Sequence, residues 1–215
     1  MNLLCLNTSF SNTYVAIKNN ETITQKTMDS SLKQSENVLG AIDECLVKAN
    51  ATLDNIDVIS CVIGPGSFTG IRIGASVAKG FCFAKKHIKK IEINSLDLLA
   101  YTFARNSKQD KEFWVVLNAL SGNLFACKYD KLGKKLGEPC LVFGEKLEEI
   151  RGVIVGLKEE QLSLCTHFAD FSSEQLLSFT QECIKNNEFS NDFEPLYLRK
   201  SQAEAELEKK KIIKV

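Results

Sequence analysis

The run Gly64-Pro65-Gly66-Ser67-Phe68-Thr69-Gly70-Ile71-Arg72-Ile73-Gly74 is the stretch of this chain best suited to chemistry. It follows an apolar, strand-like segment at 58–63 and leads into a helical pattern at 69–86. A glycine-rich turn from strand to helix frees backbone N–H groups that can cradle an anion. It also lets a second backbone come close, because glycine has no Cβ. Spacing alone leaves both uses open, with Ser67 or Thr69 as the helix cap. Two familiar phosphate motifs are excluded. No Gly-Lys-Ser/Thr follows, as a Walker loop requires. Gly64, Gly66 and Gly70 are spaced one residue too widely for the dinucleotide fingerprint.

The other reactive groups are sparse. Ser67 lies on a strand-to-helix turn but outside a G-x-S-x-G frame, and neither histidine has a visible acid partner. His87 and His167 stand far apart, in no metal-ligand spacing, which counts against a metallopeptidase and gives no metal residue. At the end of the first apolar run, Asn7-Thr8-Ser9 offers hydrogen-bonding groups but no charge for a magnesium ion. The eight cysteines show no C-x-x-C pair and fall in apolar strand-like or helical runs, where cysteine acts as a small hydrophobe suited to a reducing cytoplasm.

The elements that must position these residues alternate along the first half. Strands are expected at 2–7, 13–18 and 21–27. A helix follows at 31–49 with Leu32, Val38, Leu39, Ile42, Cys45, Leu46 and Ala49 mostly on one face. The strand at 57–63, the glycine turn, the helix at 69–86, a short strand at 91–93 and a helix at 95–104 capped by Ser95 complete a mixed sheet with packed helices. Seven polar residues, 105–111, mark a boundary between an N-terminal lobe, 1–104, and a smaller C-terminal lobe, 112–215. Beyond it, 113–118 and 124–129 form a hairpin. Strands are expected near 140–143, 152–157 and 162–165, a helix at 173–186, and a charged, helix-prone tail at 203–211.

Among 215 residues, Lys+Arg and Asp+Glu both number 27, a formal net charge of zero. A domain that grips RNA alone carries a basic surplus, so autonomous RNA binding is disfavoured. Lys85, Lys86, Lys89 and Lys90 form the one local basic cluster, either a solvated helix end or an RNA-facing patch. No stretch approaches the roughly 20 apolar residues of a membrane span, and the N-terminal run lacks a basic leader. From these features a soluble, cytoplasmic protein with no membrane contact is expected.

The glycine run resembles the signature of the TsaB (YeaZ) family, a subunit of the bacterial machinery that makes threonylcarbamoyladenosine in tRNA. Three further segments agree in order and spacing. Leu3–Ser9 with 14–17 resembles the opening strand, Asp-Thr-Ser turn and second strand. The segments 116–119 and 122–125 resemble the mid-chain strand-turn-strand. Glu194-Pro195-Leu196-Tyr197-Leu198-Arg199 resembles the C-terminal Pro-x-Tyr-Leu-Arg. The resemblance implies an α/β, two-lobed actin/Hsp70/sugar-kinase-like (ASKHA) fold with a reduced second lobe.

It also implies a non-catalytic scaffold or activator that binds the catalytic paralogue TsaD, with the ATPase subunit TsaE in the full complex. A homodimer is implied when the chain is alone, and tRNA contact only through the complex. The chain departs from the family pattern at Asn7, at Gln34 (commonly histidine), and at Asn118 and Leu120 (usually Asp and Arg). Each departure removes charge from the cleft. No cofactor is implied beyond weak ATP or ADP binding at the partner interface, for which Asn7, Thr8, Gly64, Gly66 and Ser67 are the candidate contacts. In the family, the two first-lobe helices pair with the partner's equivalents. Val38, Leu39, Ile42 and Leu46 on one helix, and Gly70, Ile73, Gly74, Val77 and Ala78 on the other, are the expected interface. The small-residue stripe Gly70, Gly74, Ala78 has a second reading, packing on the chain's own sheet. A kinase or ATPase of the same superfold and a metallopeptidase-like protein are the rival readings.

Overall fold

The computed structural model describes residues 1–29, 34–107 and 110–199, so the expected tail helix and the start of the helix from 31 lie outside the described residues. The first sheet holds β1 (Leu3–Asn7), β2 (Asn12–Asn19), β3 (Thr22–Asp29), β4 (Val58–Gly64) and β5 (Lys89–Asn94), in the order β3-β2-β1-β4-β5. β1, β2 and β3 are antiparallel neighbours, whereas β4 and β5 run parallel to β1. β1 reads Leu-Leu-Cys-Leu-Asn because it is central and buried on both faces, which needs an unbroken apolar run. The edge strand β3 instead alternates exposed and half-buried residues.

Four helices cover this sheet. Their ranges are α1 (Gln34–Lys48), α2 (Phe68–Ala84), α3 (Ser95–Asn106) and α4 (Ser173–Lys185). α1 and α2 lie on one face, where Val38, Ala41, Ile42, Cys45, Ala75, Ala78 and Cys82 pack against Leu4, Leu6, Val15 and Ile59. α3 and α4 lie on the other face and α3 is in turn covered by a second sheet, so one core runs from Leu3, Cys5 and Val62 through Leu99 and Leu176 to Phe113, Val115 and Val155.

That second sheet contains β6 (Phe113–Asn118), β7 (Leu124–Tyr129), β8 (Cys140–Val142), β9 (Val153–Leu157) and β10 (His167–Ala169), in the order β10-β9-β6-β7-β8. Numbered within itself, it repeats the 3-2-1-4-5 order of the first sheet, with the same antiparallel and parallel pairings. The duplication is the two-lobed plan the resemblance implied. The second copy is reduced: its outer face is covered by Ile150, Leu147, Leu162, Leu164 and Cys165 from loops and a 3-10 turn instead of a helix pair.

Two local expectations change. Residues 162–165 form a turn closed by Cys165 N–H donating to Leu162 O at 3.0 Å. The strand begins only at His167, after Thr166 N–H is tied to Ile154 O at 2.9 Å. The cap of α3 is Asn94, whose Oδ1 accepts from Leu96 N–H at 2.8 Å, and Ser95 is the first helical residue. α4 packs on β1 and β2, and its Thr180 hydroxyl meets that of Ser60 on β4 at 2.7 Å. The chain then returns to the first sheet, where Ser190 N–H donates to Lys90 O and Leu196 N–H to Ile63 O. No described helix is long and apolar enough to cross a membrane.

Candidate functional site

The glycine turn is shaped by the strand end it covers. Ser67 is the cap of α2, its Oγ accepting from Gly70 N–H at 3.2 Å, while its own N–H donates to Ser9 O at 2.9 Å. Thr8 Oγ1 donates to Gly70 O at 2.6 Å. A Cβ on Gly70 would stand 1.8 Å from Thr8 O, one on Gly74 would stand 2.4 Å from Thr8 Oγ1, and one on Gly66 would stand 2.5 Å from Ser9 O. Gly66 and Gly70 therefore allow close backbone approach, and Gly74 makes room for the Thr8 side chain. Gly64 has φ +110°, a conformation that needs glycine.

Asn7 and Thr8 are fully buried. Asn7 Oδ1 accepts from Ser9 N–H at 2.8 Å and from Ser9 Oγ at 2.7 Å. Its Nδ2 and Ser173 Oγ are the buried side-chain polar atoms among the described residues with no hydrogen-bond partner. Gln34 Nε2 donates to Thr8 O at 3.1 Å and to Thr13 Oγ1 at 2.6 Å, so the residue that replaces the family's usual histidine braces the turn.

The second sheet repeats this arrangement. Asn118 ends β6 as Asn7 ends β1, and its Oδ1 accepts from Leu120 N–H at 2.8 Å, again two residues on. The turn that follows holds Leu120 at φ 63° and Ser121 at φ 56°. Side-chain-bearing residues there cost on the order of 1–2 kcal/mol each. Ala119 N–H to Asn123 O at 2.9 Å and a bond from the Arg199 guanidinium to Ala119 O hold it.

The glycine turn, the end of β6 and the C-terminal segment form an open cavity of about 400 Å³ lined by Gly66, Phe68, Thr69 and Ile71, by 118–121 and Phe125, and by 196–199. That volume suits a small ligand or an inserted side chain. Three segments far apart in sequence thus meet, each carrying part of the family resemblance. Phe68 stacks on Tyr197 with ring centroids 4.6 Å apart, and Arg72 lies 4.0 Å over Phe68 while donating to Tyr197 OH at 2.9 Å. Arg199 is the sole charged side chain among the lining residues. Of the expected nucleotide contacts, Gly66 lines the cavity and Ser67 is exposed beside it, whereas Asn7, Thr8 and Gly64 are buried.

Sequence reasoning missed Glu160. Its carboxylate accepts from Asn118 N–H at 2.8 Å, and burial pushes its pKa up to about 7, with Glu159 adding to the rise. A carboxyl so displaced beside a cleft marks a place where charge is held against its preference. Nothing in the local pattern of 158–161 signals this, because the partner lies on another strand.

The expected partner residues divide by burial. Val38, Ile42, Gly70, Gly74 and Ala78 are buried within the chain, so the stripe Gly70, Gly74, Ala78 faces inward against Thr8 and Cys61. Leu46, Ile73 and Val77 are half-buried, and Leu39 is 52% exposed. Val47 and Phe83, which the spacing did not single out, are 72% and 77% exposed on the same two helices. The lysine cluster is engaged locally: Lys85 pairs with Asp54, Lys86 and Lys89 lie over Phe83 and Phe189, and Lys90 Nζ donates to Asn191 O at 2.7 Å. No group of metal-ligating side chains occurs among the described residues.

Comparison with known proteins places this geometry. The family model described as TsaD, tRNA N6-adenosine threonylcarbamoyltransferase, matches residues 19–207. The TsaB protein of Buchnera aphidicola subsp. Schizaphis graminum is 26% identical over 188 residues, covering 85% of this chain and 86% of the relative. The TsaB protein of Escherichia coli K12 is 24% identical over 164 residues, covering 76% and 68%. YeaZ from Pseudomonas aeruginosa superposes with a TM-score of 0.77 at 20% identity, over 92% of this chain and 99% of that one. With the glycine turn, the end of β6 and the C-terminal Tyr-Leu-Arg converging on one cavity, the chain belongs to the threonylcarbamoyltransferase (TsaD) family, among its TsaB (YeaZ) members.

Proposed function

We propose that this chain is a non-catalytic subunit in tRNA threonylcarbamoyladenosine biosynthesis, a cytoplasmic scaffold that binds and activates the catalytic paralogue TsaD. The assembled complex would transfer a threonylcarbamoyl group from an adenylate to the adenosine beside the anticodon, with TsaE as its ATPase. Relatives named for this pathway support the assignment. A non-catalytic role is supported by the two strand ends, where Asn7 and Asn118 supply neutral amides that bind a magnesium–phosphate group poorly.

The observation that carries the scaffold reading is the outer face of α1 and α2. Leu39 and Val47 on one helix and Phe83 on the other are exposed, with Ile73 and Val77 half-exposed beside them. Gly40 and Gly80 face open space, with no atom within 4 Å of an added Cβ. A helix-interior glycine without a packing role costs about 0.5–1 kcal/mol relative to alanine. Two of them on an apolar helix pair suit the close approach of a second helix pair. Alone, the same face would support a homodimer. Any ATP or ADP would be weakly held near the partner interface, and tRNA would be met only within the complex.

Titration calorimetry of purified chain with TsaD tests this. Val77→Lys should abolish the heat of binding while the melting temperature stays near the parent's. Full retention of affinity would remove the helix pair from the interface. Turnover of ATP by the isolated chain that is lost on Thr8→Ala would instead favour the kinase reading.

A further inference from the structure

The turn between β1 and β2 meets the turn after β9 across the gap between the two sheets. Three donors, Ser11 of the first turn and Asn12 and Tyr14 at the start of β2, converge on one carboxylate of the second turn. Tyr14 OH donates to Glu159 Oε1 at 2.8 Å, Asn12 Nδ2 donates to the same oxygen at 3.1 Å, and Ser11 Oγ donates to Oε2. All three contacts join residues at least 145 positions apart.

Among the described residues Glu159 has no ion-pair partner, because the adjacent Lys158 is turned to Asp170 at 2.6 Å. Neutral O–H and N–H groups therefore hold the carboxylate, as they do at a hydrogen-bonded oxyanion site. Tyr14 remains a donor at any physiological pH, since burial first and Glu159 second push its phenol up.

We propose that the β1–β2 turn and the first residues of β2 form an oxyanion site whose resident ligand is the chain's own Glu159, which clasps the second sheet to the first and keeps outside carboxylate or phosphoryl groups off these donors. An isolated ion pair would need a cation here, and a simple turn would satisfy its donors locally. The clasp is independent of the partner assignment, because none of its residues lies on α1 or α2.

Chemical rescue of full-length Glu159→Ala tests it. Thermal melts would be run in chloride, in sodium acetate and in inorganic phosphate at matched ionic strength. The variant should melt a few degrees below the parent in chloride. It should regain at least half of that loss, saturably, in acetate or phosphate. Recovery in acetate alone assigns a carboxylate-sized site, and recovery in phosphate shows that it admits a phosphoryl group. The parent and the triple variant Ser11→Ala/Asn12→Ala/Glu159→Ala should show no saturable response. Glu159→Gln, which fills the space without charge, should also melt lower yet ignore both anions. Should Glu159→Ala be unfolded in chloride, the folded fraction restored by either anion becomes the readout. Absence of saturable recovery in both anions, or equal recovery in the triple variant, overturns the proposal.

Discussion

Replacing Gly74 by alanine sets two opposite expectations against each other. In an exposed helix interior the change would stabilise by about 1 kcal/mol. Here the new Cβ would lie 2.4 Å from Thr8 Oγ1 and 3.2 Å from Cys61 Sγ. Thr8 cannot yield freely, because its hydroxyl is buried and donates to Gly70 O at 2.6 Å. Relieving the clash by rotating Thr8 leaves a buried hydroxyl unpaired, a cost of about 1–3 kcal/mol. Keeping Thr8 in place overpacks the helix against the sheet, at a similar cost. After the propensity gain, Gly74→Ala should destabilise by about 1–2 kcal/mol in urea unfolding. Thr8→Ala removes the atom that clashes, so the double variant should be less destabilised than the sum of the singles by about 1 kcal/mol or more. Gly80→Ala is the control: with open space around its Cβ it should gain about 0.5–1 kcal/mol. If Gly74→Ala stabilises as Gly80→Ala does, or if the pair with Thr8→Ala is additive, the inward orientation of the stripe is wrong.

Glu160 predicts a pH dependence. Its folded pKa of about 7 lies above the unfolded value near 4.3, so the folded state binds the extra proton between those values. Stability should therefore fall as pH rises from about 4.5 through 7, by at most about 4 kcal/mol. Glu160→Gln, measured by urea unfolding at pH 5 and pH 8, should lose that part of the slope. Tyr197→Ala removes the stack on Phe68 and the bond from Arg72, interactions worth about 0.5–1.5 kcal/mol each. It should speed tryptic cleavage after Arg199 without changing the far-ultraviolet spectrum, and an unchanged cleavage rate would show that Tyr197 does not anchor the segment.

Much of the first sheet was legible because its chemistry is local. β1 announces itself as an unbroken apolar run and β4 as one interrupted only by Ser60, and the glycine spacing marks a turn that another backbone must approach. The direction of the Gly70-Gly74-Ala78 stripe was not legible. A four-residue repeat defines one face of a helix, but the face against Thr8 and the face toward solvent give the same repeat. The second sheet was harder, since β8 and β10 each have only three residues and their registers are set by neighbours distant in sequence. Asn7 and Asn118 were visible as departures from a family pattern. Their equivalence appears only once both sheets show the same strand order. Glu159 and Glu160 carry no signal in sequence, because each acts on a strand more than forty residues away.

The proposed scaffold role stands or falls on the α1–α2 face as the surface that would meet the catalytic paralogue. Titration of TsaD into three variants, Val77→Lys, Leu39→Lys and Gly80→Ala, measures it directly, with melting curves taken on the same samples. The two lysine variants should lose at least about 100-fold in affinity, or about 2.7 kcal/mol, while melting within a few degrees of the parent. Gly80→Ala should melt higher than the parent yet bind less tightly, because its methyl fills the notch left for the partner helix. Parent-like affinity in all three would contradict the account.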